Sequence, residues 1–254
     1  EDFGSQRALL VSPAVYREFY GHDHPAPELL DQAVYGLPEI YRSAIKGALL
    51  VAAPGCYPTS ILLPVIPLLR TGLIEPDSVI ANSLSGVSGA GREAELDYLF
   101  VECHESLRAY GVPKHRHLSE IEQELSRAAG LPLTIQFTPY LVPVNRGILT
   151  TVCTQPKPGL WDGGDAAEVG RRVADIYREA YGAEPFVRLI EEKRLPDTKH
   201  VVGTNYLDIG WRFDPRTKRL LVISAEDNLL KGAGGQAIQC FNLMNGFDET
   251  VGLM

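Results

Sequence analysis

Cys56 is the side chain of this sequence whose setting best suits a nucleophile. It follows the apolar run 48–53, which we interpret as a buried strand, and precedes a helical segment. The positive end of a helix lowers the pKa of a thiol and favours the reactive thiolate. Gly55 lets a substrate carbonyl approach the backbone, and the N–H groups of the first turn suit a developing oxyanion. A small buried residue in a tight turn explains the same pattern equally well.

His115 and His117 are the candidate proton donors and acceptors, and a single arginine separates them. Histidine titrates near neutral pH, and a thiol nucleophile usually needs such a partner. Ser119 and Glu122 have the spacing of a capping box, so we expect the pair to lie in a loop before a helix, with only one ring facing the site. A solvated polar loop is the alternative. A metal site is not favoured, because no third ligand is apparent.

Three further segments predict anion binding. The loop 85–91, followed by Arg92, should carry free backbone donors. It lacks the lysine of a P-loop and does not match the dinucleotide glycine pattern. Arg146, between two strand signals, suits bidentate contact with a carboxylate or phosphate. The glycines of 227–237 would let a phosphate reach a helix N-terminus. The competing interpretations are a flexible turn, a surface arginine and a plain helix entry.

The elements that would position these groups follow from hydrophobic periodicity and turn residues. Helices are predicted over 13–20, 60–69, 119–129, 166–181 and 232–245. Strands are predicted over 48–53, 77–84, 133–139, 147–153, 187–190, 205–213 and 219–224. The pattern indicates an α/β protein with a mostly antiparallel or mixed sheet and helices on one face.

Composition excludes several classes of protein. The chain has 254 residues, of which 45% are hydrophobic, and a net charge of −8. Without a basic run, nucleic acid is not the expected partner. The four cysteines form neither a disulfide framework nor a zinc pattern. The sequence shows no membrane-length apolar run and no secretory signal at Glu1, so we expect a cytoplasmic protein.

Six motifs together resemble the N-acetyl-γ-glutamyl-phosphate reductases of arginine biosynthesis, relatives of the aspartate-semialdehyde dehydrogenases. They occur in the family's order over nearly the whole chain, and the second is highly specific. They are residues 34–39 (VYGLPE), 54–59 (PGCYPT), 85–92 (SGVSGAGR), 115–117 (HRH) with Glu120 and Ile121, 143–147 (PVNRG) and 227–233 (DNLLKGA).

The resemblance implies reduction of an acyl phosphate to an aldehyde by NADPH, through a thioester on Cys56. His117, or else His115, would be the acid and base. The resemblance implies these substrate-binding residues: Ser88, Gly89, Arg92, Arg146 and Glu120. It implies these residues near the NADP cofactor: Gly86, Asn228, Lys231, Gly232 and Ala233. It implies no metal.

The same resemblance implies the domain organisation. Residues 1–55 would be the end of a Rossmann NADP-binding domain, and 229–254 a closing helix that returns to it. Residues 56–228 would form an α+β catalytic and oligomerisation domain of a homo-oligomer, either dimer or tetramer. The family's glycine-rich nucleotide loop does not occur in this sequence. Three alternatives stay open: a lysine-pathway reductase of a carrier-bound aminoadipyl phosphate, a non-catalytic oligomerisation fragment, and a thiol hydrolase.

Overall fold

The computed structural model describes residues 13–91, 95–159, 166–190 and 194–254. The α-helices of this part of the chain are α1 (Pro13–Tyr20), α2 (Pro38–Lys46), α3 (Cys56–Arg70), α4 (Phe100–Cys103), α5 (His117–Ala129), α6 (Ala166–Tyr181) and α7 (Gly235–Met244). The strands are β1 (Val34–Tyr35), β2 (Val51–Ala52), β3 (Ile80–Ser85), β4 (Arg108–Ala109), β5 (Gln136–Leu141), β6 (Ile148–Thr154), β7 (Val187–Leu189), β8 (Leu207–Asp214) and β9 (Arg219–Glu226).

A mixed sheet dominates the described part of the chain. Its seven strands run in the order β4-β5-β3-β6-β9-β8-β7. The pairs β3–β5 and β7–β8 are parallel, and the remaining neighbours are antiparallel. The expected mixed sheet with helices is therefore confirmed.

Helix α3 is the central element of the core. It is buried almost along its whole length, as expected for a helix that is apolar on all sides. Ser60 bonds the helix to the sheet: its hydroxyl group lies 2.8 Å from that of Thr150, and its backbone carbonyl accepts from the Ser224 hydroxyl at 2.6 Å. The helix is thus held in one position over β6 and β9, which also determines where its N-terminal Cys56 lies.

Helix α3 begins earlier than its predicted start at residue 60. It begins at Cys56 because Pro58 lies in the first turn, where no intrahelical N–H bond is required. Cys56 is therefore the first helical residue, with Gly55 as the N-cap.

The capping box predicted before α5 is wrong. The helix starts at His117, and the Ser119 hydroxyl donates back to the Arg116 carbonyl. The Glu122 carboxylate accepts from the backbone N–H of Ile135 instead of from the helix N-terminus.

The buried strand predicted over 48–53 shortens to Val51–Ala52. Leu49 is 97% exposed, so the apolar run is not a buried segment. Strand β2 pairs in parallel with β1, apart from the large sheet. Helices α2 and α7 pack beside this pair, around buried Ile45 and Leu243.

The closing helix starts with an irregular turn. A π-helical turn, Leu230–Gly234, precedes α7, where a regular helix was expected from residue 232. Such turns often mark functional sites. Among the described helices, no stretch is both long and apolar enough to span a bilayer.

Candidate active site

Cys56 lies where two structural effects on its pKa oppose each other. The backbone N–H groups of Cys56 and Tyr57 face the sulfur and lower the thiol pKa, as expected at a helix N-terminus. Burial outweighs them and raises the pKa to about 12, and a negative charge on the nearby Glu226 carboxyl group would raise it further. The predicted net lowering of the Cys56 pKa is therefore wrong for this structure. The resting group is a thiol, and its activation requires a base.

His117 lies against the residue that precedes this thiol. A Cβ atom added to Gly55 would stand 2.6 Å from both Cε1 and Nε2 of the His117 ring. Burial, together with the charge of Arg116 and the neighbouring His115, lowers the His117 pKa well below its usual value. The ring is consequently a neutral imidazole, and its Nε2 edge faces the start of α3.

His115 is placed differently. Its Nδ1 accepts the backbone N–H of His117 at 3.1 Å and so satisfies a free donor at the start of α5. The proton of the neutral ring is then on Nε2. Burial lowers the His115 pKa to about 4. Both rings line the same cavity, with centroids 4.9 Å apart, so the expectation that only one would face the site is wrong.

A cavity of about 290 Å³ joins these groups. Its walls come from the start of α3, the end of β3, and the segments before α5. The sequence-predicted residues on its lining are Cys56, Gly86, Gly89, His115 and His117. The residues on its lining that the sequence analysis did not assign are Tyr57, Ser85, Ala90, Glu95, Tyr98, Tyr110, Gly111, Lys114, Arg116 and Leu141.

Two of these unassigned residues form a polar aromatic wall. The hydroxyl groups of Tyr57 and Tyr110 lie 2.7 Å apart, and the Tyr57 ring packs edge-on against both histidines. The sequence feature that could have identified Tyr57 is its position directly after the cysteine. Tyr110 belongs to a segment with no clear periodicity, so only the tertiary structure brings it to the site.

The glycine-rich loop after β3 is a 3-10 turn, Val87–Ala90, and its donors are largely used inside the protein. The backbone N–H groups of Gly86 and Ser88 donate to Gly147 and Asn145, at 2.9 and 3.1 Å. A Cβ at Gly86 would meet the Asn145 carbonyl oxygen at 2.7 Å. Gly86 therefore permits close packing of two loops, and the prediction of a loop with free donors is wrong for these groups. Arg92 lies outside the described residues.

The loop that carries Arg146 and the loop that carries Asn228 are bonded to each other. The Arg146 guanidinium forms an ion pair at 2.8 Å with the fully buried Asp227. The Asn228 amide oxygen accepts the Gly147 N–H at 2.7 Å, and its NH₂ group donates to the Ser88 hydroxyl at 3.0 Å. These contacts position the cavity wall and engage both polar groups of Asn228, whereas the Arg146 Nε has no partner among the described residues.

Lys231 faces away from the cavity. Its ammonium group is fully buried, 2.6 Å from Glu39 and 2.8 Å from the Gln239 amide oxygen. A direct contact with a cofactor is therefore not available to this side chain. It ties the π-helical turn to α2.

Glu120 is also buried under the site. One of its oxygens accepts the Tyr35 hydroxyl at 2.6 Å and the Gly55 N–H at 3.1 Å. Burial raises its pKa to about 8. The residue anchors the N-cap of α3 to α5 and β1, while no atom of it lines the cavity.

Gly232 makes the tightest backbone approach to the nucleophile. A Cβ there would stand 2.7 Å from Cys56 Cβ and 2.9 Å from Glu226 Oε1. Only glycine allows this contact. Ala233, the next residue, is partly exposed. Within the described residues no group of three or more metal-ligating side chains occurs.

Comparison with known proteins identifies a family of similar sequences. A family model described as the dimerisation domain of semialdehyde dehydrogenases matches residues 56–228. The N-acetyl-gamma-glutamyl-phosphate reductase of Akkermansia muciniphila is 59% identical over 244 residues, 96% of this chain and 68% of that protein. The enzyme of the same name from Geobacter metallireducens is 52% identical over 242 residues, 95% of this chain and 67% of that protein.

A solved structure shares the fold. Aspartate semialdehyde dehydrogenase II from Vibrio cholerae superposes with a TM-score of 0.64 at 18% identity, covering 85% of this chain and 69% of that chain. At this identity the match supports the fold alone.

Proposed function

Because this chain belongs to the N-acetyl-gamma-glutamyl-phosphate reductases, of the semialdehyde dehydrogenase fold, we propose that it reduces N-acetylglutamyl 5-phosphate to the 5-semialdehyde through a thioester on Cys56. The observation that supports this chemistry is the meeting of a cysteine at a helix N-terminus with a neutral histidine at one cavity.

The first half of the reaction is acyl transfer to sulfur. His117 takes the proton of the Cys56 thiol as the substrate carbonyl approaches, because a neutral imidazole accepts a proton and a thiol attacks only as thiolate. A bond forms between sulfur and the acyl carbon, the bond between that carbon and the bridging phosphate oxygen breaks, and inorganic phosphate leaves. The N–H groups of Cys56 and Tyr57 stabilise negative charge at the start of α3.

The second half is reduction of the thioester. NADPH, when bound, supplies the hydride to the acyl carbon. The protonated His117 gives its proton to the resulting oxyanion and takes it back as the hemithioacetal collapses, which releases the aldehyde and the Cys56 thiolate. His115 holds the orientation of His117 through its contact with the helix N-terminus.

The cavity lining carries two cations, Lys114 and Arg116, and one carboxyl group, Glu95. Lys114 is paired with Glu18 at 2.9 Å, whereas Arg116 forms no ion pair within the described residues. We propose that Arg116 and Lys114 attract the carboxylate and phosphate of the substrate, with Gly89 on the same lining and Ser88 beside it in the loop. Arg146 and Glu120 act indirectly, because both are engaged in the framework under the cavity.

The cofactor assignment rests on the family and on a limited set of residues. The close approach of Gly232 to Cys56 and the partial exposure of Ala233 fit a nicotinamide site beside the sulfur. Asn228 would position Ser88 at that site through a hydrogen bond, and Lys231 would fix the π-helical turn through its bond to Glu39. We therefore propose NADP as the cofactor.

The domain organisation and assembly remain part of the proposal. The parallel pairing of β1 with β2 suits the end of a Rossmann domain over residues 1–55, to which the segment 229–254 returns through the packing of α7 on α2. The face of the large sheet away from α3 is only half-buried, and it carries Leu149, Cys153 and Ile223 beside the polar Thr151 and Asn82. Such a face favours a homo-oligomer, which sedimentation analysis measures.

The decisive experiment is mass spectrometry of the protein mixed with the acyl phosphate in the absence of NADPH. We expect one acyl group on the peptide that contains Cys56, and none in Cys56→Ser, which should also lose hydride transfer. Cys103→Ser is the matched control, because that buried thiol donates only to the Asp97 carbonyl. An acyl group on another residue, or full activity of Cys56→Ser, would contradict the proposal.

A further inference from the structure

Glu226, the last residue of β9, is a fully buried carboxyl group beside the nucleophile. Neither of its oxygens has a hydrogen-bond partner among the described residues. A Cβ atom added to Gly232 would lie 2.9 Å from the Glu226 Oε1 atom and 2.7 Å from the Cys56 Cβ atom. The carboxyl group and the cysteine therefore meet at this glycine. The proposed reaction uses no group at this position.

The surroundings of Glu226 favour its neutral form. An ionised carboxylate without a partner is costly to bury, and burial raises the Glu226 pKa well above its usual value. Among the neighbouring charges, Lys231 has the largest effect and lowers the pKa, whereas Asp227 and Glu39 raise it. The Lys231 ammonium, however, is already bonded to Glu39. A neutral carboxylic acid has one O–H group that it can donate.

We propose that Glu226 is a positioning residue that keeps its proton and donates a hydrogen bond to the Cys56 sulfur whenever that sulfur is ionised. The thiol is a weak acceptor, whereas a thiolate is a strong one, so the bond forms when charge develops on sulfur. A thiolate occurs twice in the reaction, before attack on the acyl phosphate and when the hemithioacetal collapses. This inference deepens the proposed function and rests on it for its role in turnover.

The rate of alkylation of Cys56 by iodoacetamide tests the inference without substrate or cofactor. The rate is followed by mass spectrometry of the Cys56 peptide from pH 7 to 10, where it reports the thiolate fraction. Glu226→Gln keeps a donor of the same shape and should stay within about 3-fold of the parent rate. Glu226→Met removes the donor and should lower the rate by about 10- to 100-fold at each pH, the usual effect of losing a hydrogen bond to a charged group.

The result that would overturn the inference is equally defined. Alkylation faster than in the parent protein, in either variant, would mean that Glu226 is ionised and repels the thiolate. Rates in Glu226→Met and Glu226→Gln that are equal to each other would mean that no hydrogen bond forms. Asp175→Asn, which removes an exposed negative charge on α6, controls for net charge and should leave the rate unchanged. Glu120, whose charge raises the Cys56 pKa, is intact in every variant.

A second measurement covers the case in which the methionine variant does not fold. The infrared difference spectrum of the parent protein minus Glu226→Gln at pH 7 should contain the carbonyl band of a protonated carboxyl group. A carboxylate band in its place would refute the inference. Both measurements stay valid if the protein proves to have a different substrate, so failure of the inference is distinguishable from failure of the proposed function.

Discussion

Gly55→Ala is the change whose effect follows most directly from the structure. The backbone of Gly55, with φ −72° and ψ 168°, is one that alanine adopts without strain. The added Cβ would stand 2.6 Å from Cε1 and Nε2 of His117 and 3.0 Å from Cδ2. Carbon atoms normally approach to about 3.5–4.0 Å. The imidazole must therefore retreat by about 1 Å from the start of α3.

This displacement should affect catalysis far more than stability. A misplacement of about 1 Å typically lowers a rate by about 10²-fold, and loss of an acid–base group lowers it by about 10²–10⁴-fold. We expect kcat/KM to fall by about 10²-fold. The poorer N-cap costs about 1 kcal/mol and the crowding of a buried ring about 1–3 kcal/mol in the free energy of unfolding, which leaves a protein of ordinary stability folded.

The assay is the reverse reaction, in which NADPH absorbance reports phosphate-dependent oxidation of N-acetylglutamate semialdehyde. The rate of Cys56 alkylation is a second reading that requires no substrate. Gly170→Ala is the matched control, because a Cβ at Gly170 meets nothing within 4 Å. Activity of Gly55→Ala within about 2-fold of the parent would refute the placement of His117. So would an equal loss in the control.

The remaining predictions concern the acid–base pair, the glycine turn and pH. His117→Asn should lower kcat by about 10²–10⁴-fold, whereas His115→Asn should lower it less, since His115 acts on the helix end; the opposite order would exchange their roles. Gly232→Ala should abolish activity by pressing on the catalytic cysteine, while Gly234→Ala, whose Cβ meets its nearest atom at 3.4 Å, should retain it in the same assay. Burial raises the pKa of Glu120 from 4.5 to about 8, so the folded state holds this proton more tightly than the unfolded chain does. The free energy of unfolding should therefore fall as pH rises from about 4.5 to 8, and Glu120→Gln should flatten that slope in urea titrations at pH 5 and 8; an unchanged slope would contradict the assignment.

The mixed sheet and most elements were predictable, because they depend on periodicity within short segments. The strand after Asp214, for example, follows a clear turn signal, and β8 and β9 pair there as expected. The apolar run 48–53 was misleading, since exposed and buried leucines look alike in sequence. The order of the strands was not predictable from local patterns.

By itself, the sequence determined which chemistry was available at Cys56: a thiol after a glycine at the start of a helix, with histidines elsewhere to serve it. The tertiary structure decided the state of these groups. The sign of the Cys56 pKa shift depends on burial of the thiol, and the protonation state of Glu226, which lies 170 positions further along the chain, decides whether that residue opposes or favours the thiolate. Lys231 and Arg146 became framework residues because their partners, Glu39 and Asp227, reach them only in the folded chain, where charges removed from water must be paired.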